Sequence, residues 1–167
     1  MLLGRTKEAQ RCLDEAQRLY VAEENAVGAA LVALTHAQLL YREGKFEGAR
    51  LMATQAEPAL LISGSLQRLL LARWLRGEAE RALGHLAPAR KLLEETARNA
   101  ELHGQPQISE RCFSSLGALA LLEGDFKTAE GNFKQAIDLT EQLRAPIPGE
   151  ENFPRIETAC DRLLVTS

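Results

Sequence analysis

Small and apolar residues recur along this chain at a fixed distance of forty. Gly4, Gly44, Gly84 and Gly124 hold one register, and Ala9, Ala49, Ala89 and Ala129 follow each glycine by five residues. An apolar residue stands two after the glycine in three copies (Phe46, Leu86, Phe126), with Thr6 in the other. Seven before the glycine stand Ala37, Gly77 and Gly117; nine after it come Leu13, Ala53, Leu93 and Phe133, then Ala16, Ala56, Thr96 and Ala136 three further on. A period of forty is an internal repeat, and the i, i+4, i+7 spacing inside each copy is that of a helix with one buried stripe. Each copy therefore reads as helix, turn, helix. The glycine supplies φ > 0 where the first helix ends, and the small residues let two helix backbones come close.

The register predicts a lone helix at 5–22 and helix pairs at 26–42 with 46–62, 64–82 with 86–103, and 106–122 with 126–143. Pro88 and Pro106 fall in first turns, where a missing N–H is harmless. Pro58 falls inside a predicted helix, so a kink or an early end is expected near Glu57. Leu2 and Leu3 before Gly4 read as the last turn of a first helix whose body is absent, so the array is expected to start in mid-repeat and to be part of something longer. The resulting organisation is an array over 1–143 (a partial unit at 1–24, full units at about 25–63, 64–104 and 105–143), a Pro/Gly loop at 144–151, and a tail at 152–167. In the tail Phe153, Ile156, Cys160 and Leu163-Leu164 suit a short amphipathic helix, read either as a cap on the last repeat or as a partner-binding helix.

The order small residue, Gly, aromatic or Leu, Ala, large apolar residue, Ala resembles the tetratricopeptide repeat over roughly Gly4 to Leu143. The resemblance implies an all-α, right-handed superhelical solenoid of antiparallel helix pairs, used as a protein-interaction scaffold. The units here have forty residues where the family's shortest have thirty-four, and Ala33, Arg73 and Phe113 stand where the family has Trp. The stretch LRAPIPGEE at 143–151 is similar to the segment leading out of such arrays in proteins that carry a caspase-like CHAT domain. That likeness implies an alternative role as the sensor or docking array of a larger regulatory enzyme.

Composition agrees with helices and excludes several other classes. Leu (29) and Ala (25) supply about a third of the 167 residues while Val and Ile together number nine, which disfavours sheets. The net charge is −3 with no block of one sign, so neither a nucleic acid nor an anionic membrane is an expected partner. No apolar run could span a bilayer. Three widely spaced cysteines, Cys12, Cys112 and Cys160, make no disulfide framework and suit a reduced, cytoplasmic setting. Cys12 and Cys112 are expected as small core residues. The histidines, His36, His85 and His103, form no metal-ligand pattern, and His85 reads as a solvated turn residue. GxSxG, P-loop, GxGxxG and CxxC motifs are missing, so no catalysis, cofactor or metal is expected.

In the family's register, the partner is read from the first helix of each pair, at positions thirteen, ten, six and three before the glycine. These are Leu31, Leu34, Gln38 and Tyr41; Leu71, Trp74, Glu78 and Arg81; and Arg111, Ser114, Ala118 and Leu121. Leu34, Gln38, Tyr41, Trp74, Glu78, Arg81, Arg111 and Ser114 are the expected contacts. Trp74, the sole tryptophan, is either a groove anchor or packing between repeats. Arg81 and Arg111 would pair a partner's carboxylate, or else Glu78 along the helix. The Lys and Asn of the family's carboxylate clamp are replaced here, which disfavours a chaperone-type acidic C-terminus. Self-association through the ends of the array is a further possibility.

Overall fold

A computed structural model describes residues 2–144, with side chains from Lys7 onward. Seven α-helices account for them: α1 (Leu2–Ala22), α2 (Ala26–Arg42), α3 (Phe46–Ile62), α4 (Leu66–Ala82), α5 (Leu86–Leu102), α6 (Pro106–Leu122) and α7 (Phe126–Arg144). No strand occurs among the described residues. No helix there is long and apolar enough to cross a membrane.

The turns reveal a finer period than the sequence reading. Positive φ occurs at Gly44, Gly64, Gly84, Gly104 and Gly124, and at Glu24, so the chain reverses every twenty residues in the same way. At each turn the residue after the glycine donates its N–H to the fifth carbonyl back, as in Lys45 to Leu40 and His85 to Glu80. Those bonds occupy carbonyls that the helix end would otherwise leave open. α4 consequently starts at Leu66, two residues later than the register alone predicts, with Gly64 in the turn before it.

A turn at Gly4 and an early end of the helix at Pro58 do not occur. Gly4 lies inside α1 and marks no turn; glycine permits the left-handed conformation without requiring it, and helix formers flank this one on both sides. α3 runs through Pro58 to Ile62 without ending early. Pro58 is exposed and its missing N–H forfeits a single helical bond, while the turn at Gly64 and the packing of Leu60 hold the last turn in place.

Packing is sequential: each helix touches the next. In addition α2 touches α4 and α4 touches α6, whereas no two odd-numbered helices meet among the described residues. The small-residue register explains the close crossings. Ala37 and Ala53 share one buried cluster. Where the first helix has glycine, the second has a larger side chain: a Cβ on Gly77 would lie 2.8 Å from Leu93, and one on Gly117 would lie 2.8 Å from Phe133. Leu93 is fully buried there, which is worth roughly 1.5–3 kcal/mol relative to exposure. Ion pairs staple α3 to α4 (Glu57 with Arg76 at 2.7 Å) and the turn after α6 to α5 (Glu123 with Arg90).

Cys112 is buried as expected, but Cys12 is exposed, because nothing described packs over that face of α1. The 145–151 part of the predicted loop, the predicted cap at 152–167 and Cys160 lie outside the described residues.

Candidate interaction surface

α2, α4 and α6 stand side by side, and the side chains expected to read a partner lie along this row. Tyr41 on α2 reaches across to α4, where its hydroxyl donates to Glu78 Oε2 at 2.8 Å. Arg81, one turn further along α4, holds both oxygens of the same carboxylate at 2.9 Å. Trp74 on α4 reaches the other way, its indole Nε1–H donating to Ser115 Oγ on α6 at 3.0 Å. Ser115 in turn donates to the Arg111 carbonyl at 2.8 Å. The Arg111 guanidinium lies 5.0 Å from the Trp74 ring centroid, within cation–π range.

Burial divides these residues by task. Glu78 is only 6% exposed, and a buried carboxylate needs partners to stay ionised. Burial pushes its carboxyl up, but the hydrogen bonds from Arg81 and Tyr41 and the Arg81 charge outweigh that and hold it below its usual range. Burial, and then the adjoining Glu78 carboxylate, push the Tyr41 phenol up to about 12. The Glu78 hydrogen bond raises Arg81 correspondingly. Burial, with the charges of Glu78 and Glu110, also pushes the Cys112 thiol up to about 12, which removes the thiolate needed for nucleophilic chemistry.

Leu34 departs from its expected role. At 5% exposure it belongs to the buried cluster with Ala53 of α3 and Leu75 of α4, and packing against those two helices takes it out of the open surface. Glu78 is likewise turned inward, toward Tyr41 and Arg81. Gln38, Tyr41, Trp74, Arg81 and Ser114 are partly exposed and Arg111 is exposed. Arg111 has no ion-pair partner among the described residues, whereas Arg81 is spent on Glu78. Trp74 packs against two core clusters at once, so it both joins repeats and remains partly open.

Ser115 escaped the sequence reading, although its neighbour Ser114 did not. The signal was available: forty residues earlier the same register holds the buried Leu75, and a serine in an apolar register asks for a polar partner. His85 sits at its turn, exposed, with Nδ1 2.6 Å from Glu80. No group of three metal-binding side chains occurs among the described residues. Comparison with protein-family models and with curated proteins gives no match to this chain.

Proposed function

We propose that this chain is a tetratricopeptide-type scaffold that binds a protein or peptide partner without catalysing a reaction, through the row formed by α2, α4 and α6. The observation that carries this reading is the pair of side-chain links across that row, Tyr41 to Glu78 between α2 and α4 and Trp74 to Ser115 and Arg111 between α4 and α6. Among the described residues even-numbered helices touch one another and odd-numbered ones do not, which supports a stack that bends with the even row on the inside. The forty-residue register and the resemblance it carries favour the right-handed superhelix of that family. Within the row, the partly open Trp74 face offers apolar area at little entropic cost, and Arg111, without an ion pair among the described residues, offers a cation for an acidic group on the partner.

Affinity capture with wild-type chain and with Trp74→Ala and Arg111→Glu tests the reading, with helical circular dichroism recorded in parallel. Captured partner should fall in both variants while helicity holds. Equal capture by all three proteins would remove the even row from consideration.

A further inference from the structure

The junction of α4 and α6 carries a polar side chain where the register elsewhere places an apolar one. At the junction of α2 and α4 the two registers hold Leu34 and Leu75, and both sit in one buried cluster. Forty residues on, the same registers hold Trp74 and Ser115. Ser115 is 6% exposed, so a leucine there would bury more apolar surface. What serine supplies instead is an acceptor. Trp74 donates its indole Nε1–H to Ser115 Oγ at 3.0 Å, and Ser115 Oγ donates to the Arg111 carbonyl at 2.8 Å. A hydroxyl has one hydrogen and two lone pairs, so committing the hydrogen to that carbonyl leaves a lone pair for the indole. The Arg111 guanidinium lies 5.0 Å from the Trp74 ring centroid. Trp74, Ser115 and Arg111 thus form a closed loop of contacts, and the indole cannot turn without breaking its Nε1 bond. Ser115 also adds to the hydrogen bonds that hold the Glu78 carboxyl below its usual range, which ties it to the Tyr41 and Arg81 cluster.

We propose that Ser115 is the positioning residue of the even row: it fixes the orientation of the Trp74 indole, and through the indole that of Arg111, before any partner arrives. The proposal rests on the reading of that row as the partner-binding surface. Apolar packing is non-directional, so the contacts of Trp74 with its two clusters set how deep the ring sits. The hydrogen bond is directional and selects which edge of the ring faces α6. Arg111 has no ion pair among the described residues, so the indole face, and not a carboxylate, holds its side chain. An aromatic anchor and a cation that are already oriented lose less side-chain entropy on binding than groups that must be ordered at that moment. The junction itself lies inside the array, between two helices that contact each other.

Ser115→Val and Ser115→Thr test it in the full chain, since those two side chains share a shape and differ by the hydroxyl. The chain has one tryptophan, so isotope-labelled protein gives a single indole N–H signal by nuclear magnetic resonance. Hydrogen exchange of that N–H should be about three- to tenfold faster in Ser115→Val than in wild type, the factor that corresponds to one neutral hydrogen bond, and should return to the wild-type rate in Ser115→Thr. Should Ser115→Val lose helicity, Ser115→Ala, which adds no bulk, takes its place. Arg111→Gln should alter Trp74 fluorescence in the wild-type background and alter it less once the Ser115 hydroxyl is gone, because residues that act as a unit are not additive. Exchange as slow in Ser115→Val and Ser115→Ala as in wild type would overturn the proposal, as would exchange in Ser115→Thr as fast as in Ser115→Val. An undiminished effect of Arg111→Gln in the Ser115→Val background would overturn it too. These readouts come from the free chain, so capture that proves independent of Trp74 would remove the even-row reading while leaving the exchange result in place.

Discussion

Tyr41 and Glu78, thirty-seven residues apart, meet with a hydroxyl-to-carboxylate distance of 2.8 Å and join α2 to α4. A hydrogen bond to a charged group contributes about 1.5–3 kcal/mol, and the partial exposure of Tyr41 places its own share near the lower end. Tyr41→Phe removes the donor and leaves the ring, so urea denaturation should show a loss of about 1–2 kcal/mol. A change within error would mean that the bond adds nothing beyond solvation of the carboxylate.

The same pair predicts a pH dependence at both ends of the scale. The Glu78 carboxyl is held below its ordinary value of 4.5 in the fold, so its contribution is complete above that value and disappears as pH falls through the lower folded one. Tyr41 is raised from 10.0 to about 12, so its contribution is complete below 10.0 and disappears as pH rises toward the folded value. Stability curves should therefore be flatter in acid for Glu78→Gln and flatter in alkali for Tyr41→Phe than for the wild type. Parallel curves would separate these two groups from the pH response of the protein.

Two glycine substitutions should act in opposite directions. Gly131 lies on an exposed part of α7, where an added Cβ meets nothing within 4 Å. Gly131→Ala should then raise stability by about 0.5–1 kcal/mol through helix propensity alone. At Gly77 the new methyl would meet Leu93 at 2.8 Å, and Leu93 is enclosed on all sides. Gly77→Ala should lower stability by about 1–3 kcal/mol despite the same gain in propensity. Denaturation midpoints of the pair decide the matter, and a stabilised Gly77→Ala would show that the α4/α5 crossing has slack.

The helix map was largely readable because each turn glycine of the forty-residue register is followed by an alanine five residues later. The twenty-residue half-period was harder to see. Gly64 and Gly104 are followed at that distance by Leu69 and Ser109, and the first turn has Glu24 in place of glycine. The positions proposed to read a partner come from the register of the resembled repeat, and helix periodicity adds only which residues share a face. What packs against each position is not contained in that periodicity, which is why Leu34 and Glu78 are buried while their register mates Trp74, Ser114 and Gln38 stay partly exposed; Ser115, in the register of the buried Leu75, meets Trp74. Cys12 reads as core because it lies among helix-periodic apolar residues; whether such a stripe is covered depends on what packs there, not on the stripe itself.

Glu24 is the sole non-glycine residue at positive φ among the described residues, at +54°. A side chain in that region costs about 1–2 kcal/mol, partly offset by the greater unfolded-state freedom of glycine. Glu24→Gly should bring the turn into line with the other five and stabilise by about 0.5–1 kcal/mol. Asn25, whose side chain accepts from the Gly28 N–H at 2.8 Å, stays in place as the cap. Thermal unfolding would check this, and a lowered midpoint would show that the Glu24 side chain contributes more than its conformation costs.

Pro58 offers the last handle on stability. It sits inside α3, exposed, with the helix continuing to Ile62. Proline in a helix interior costs about 3 kcal/mol relative to alanine, from the lost bond to the residue four before it and the clash of its ring with that carbonyl. Its rigidity also narrows the unfolded ensemble, which returns about 0.4–1 kcal/mol to the native state. Pro58→Ala should restore an N–H facing the Thr54 carbonyl and raise stability by about 2 kcal/mol, the difference of those two effects. Amide exchange on α3 should slow from Ala59 to Leu61 in the variant if the helical bond forms. Unchanged exchange with unchanged stability would mean that α3 bends at Pro58 enough to relieve the clash, and that the bend is retained when the ring is gone.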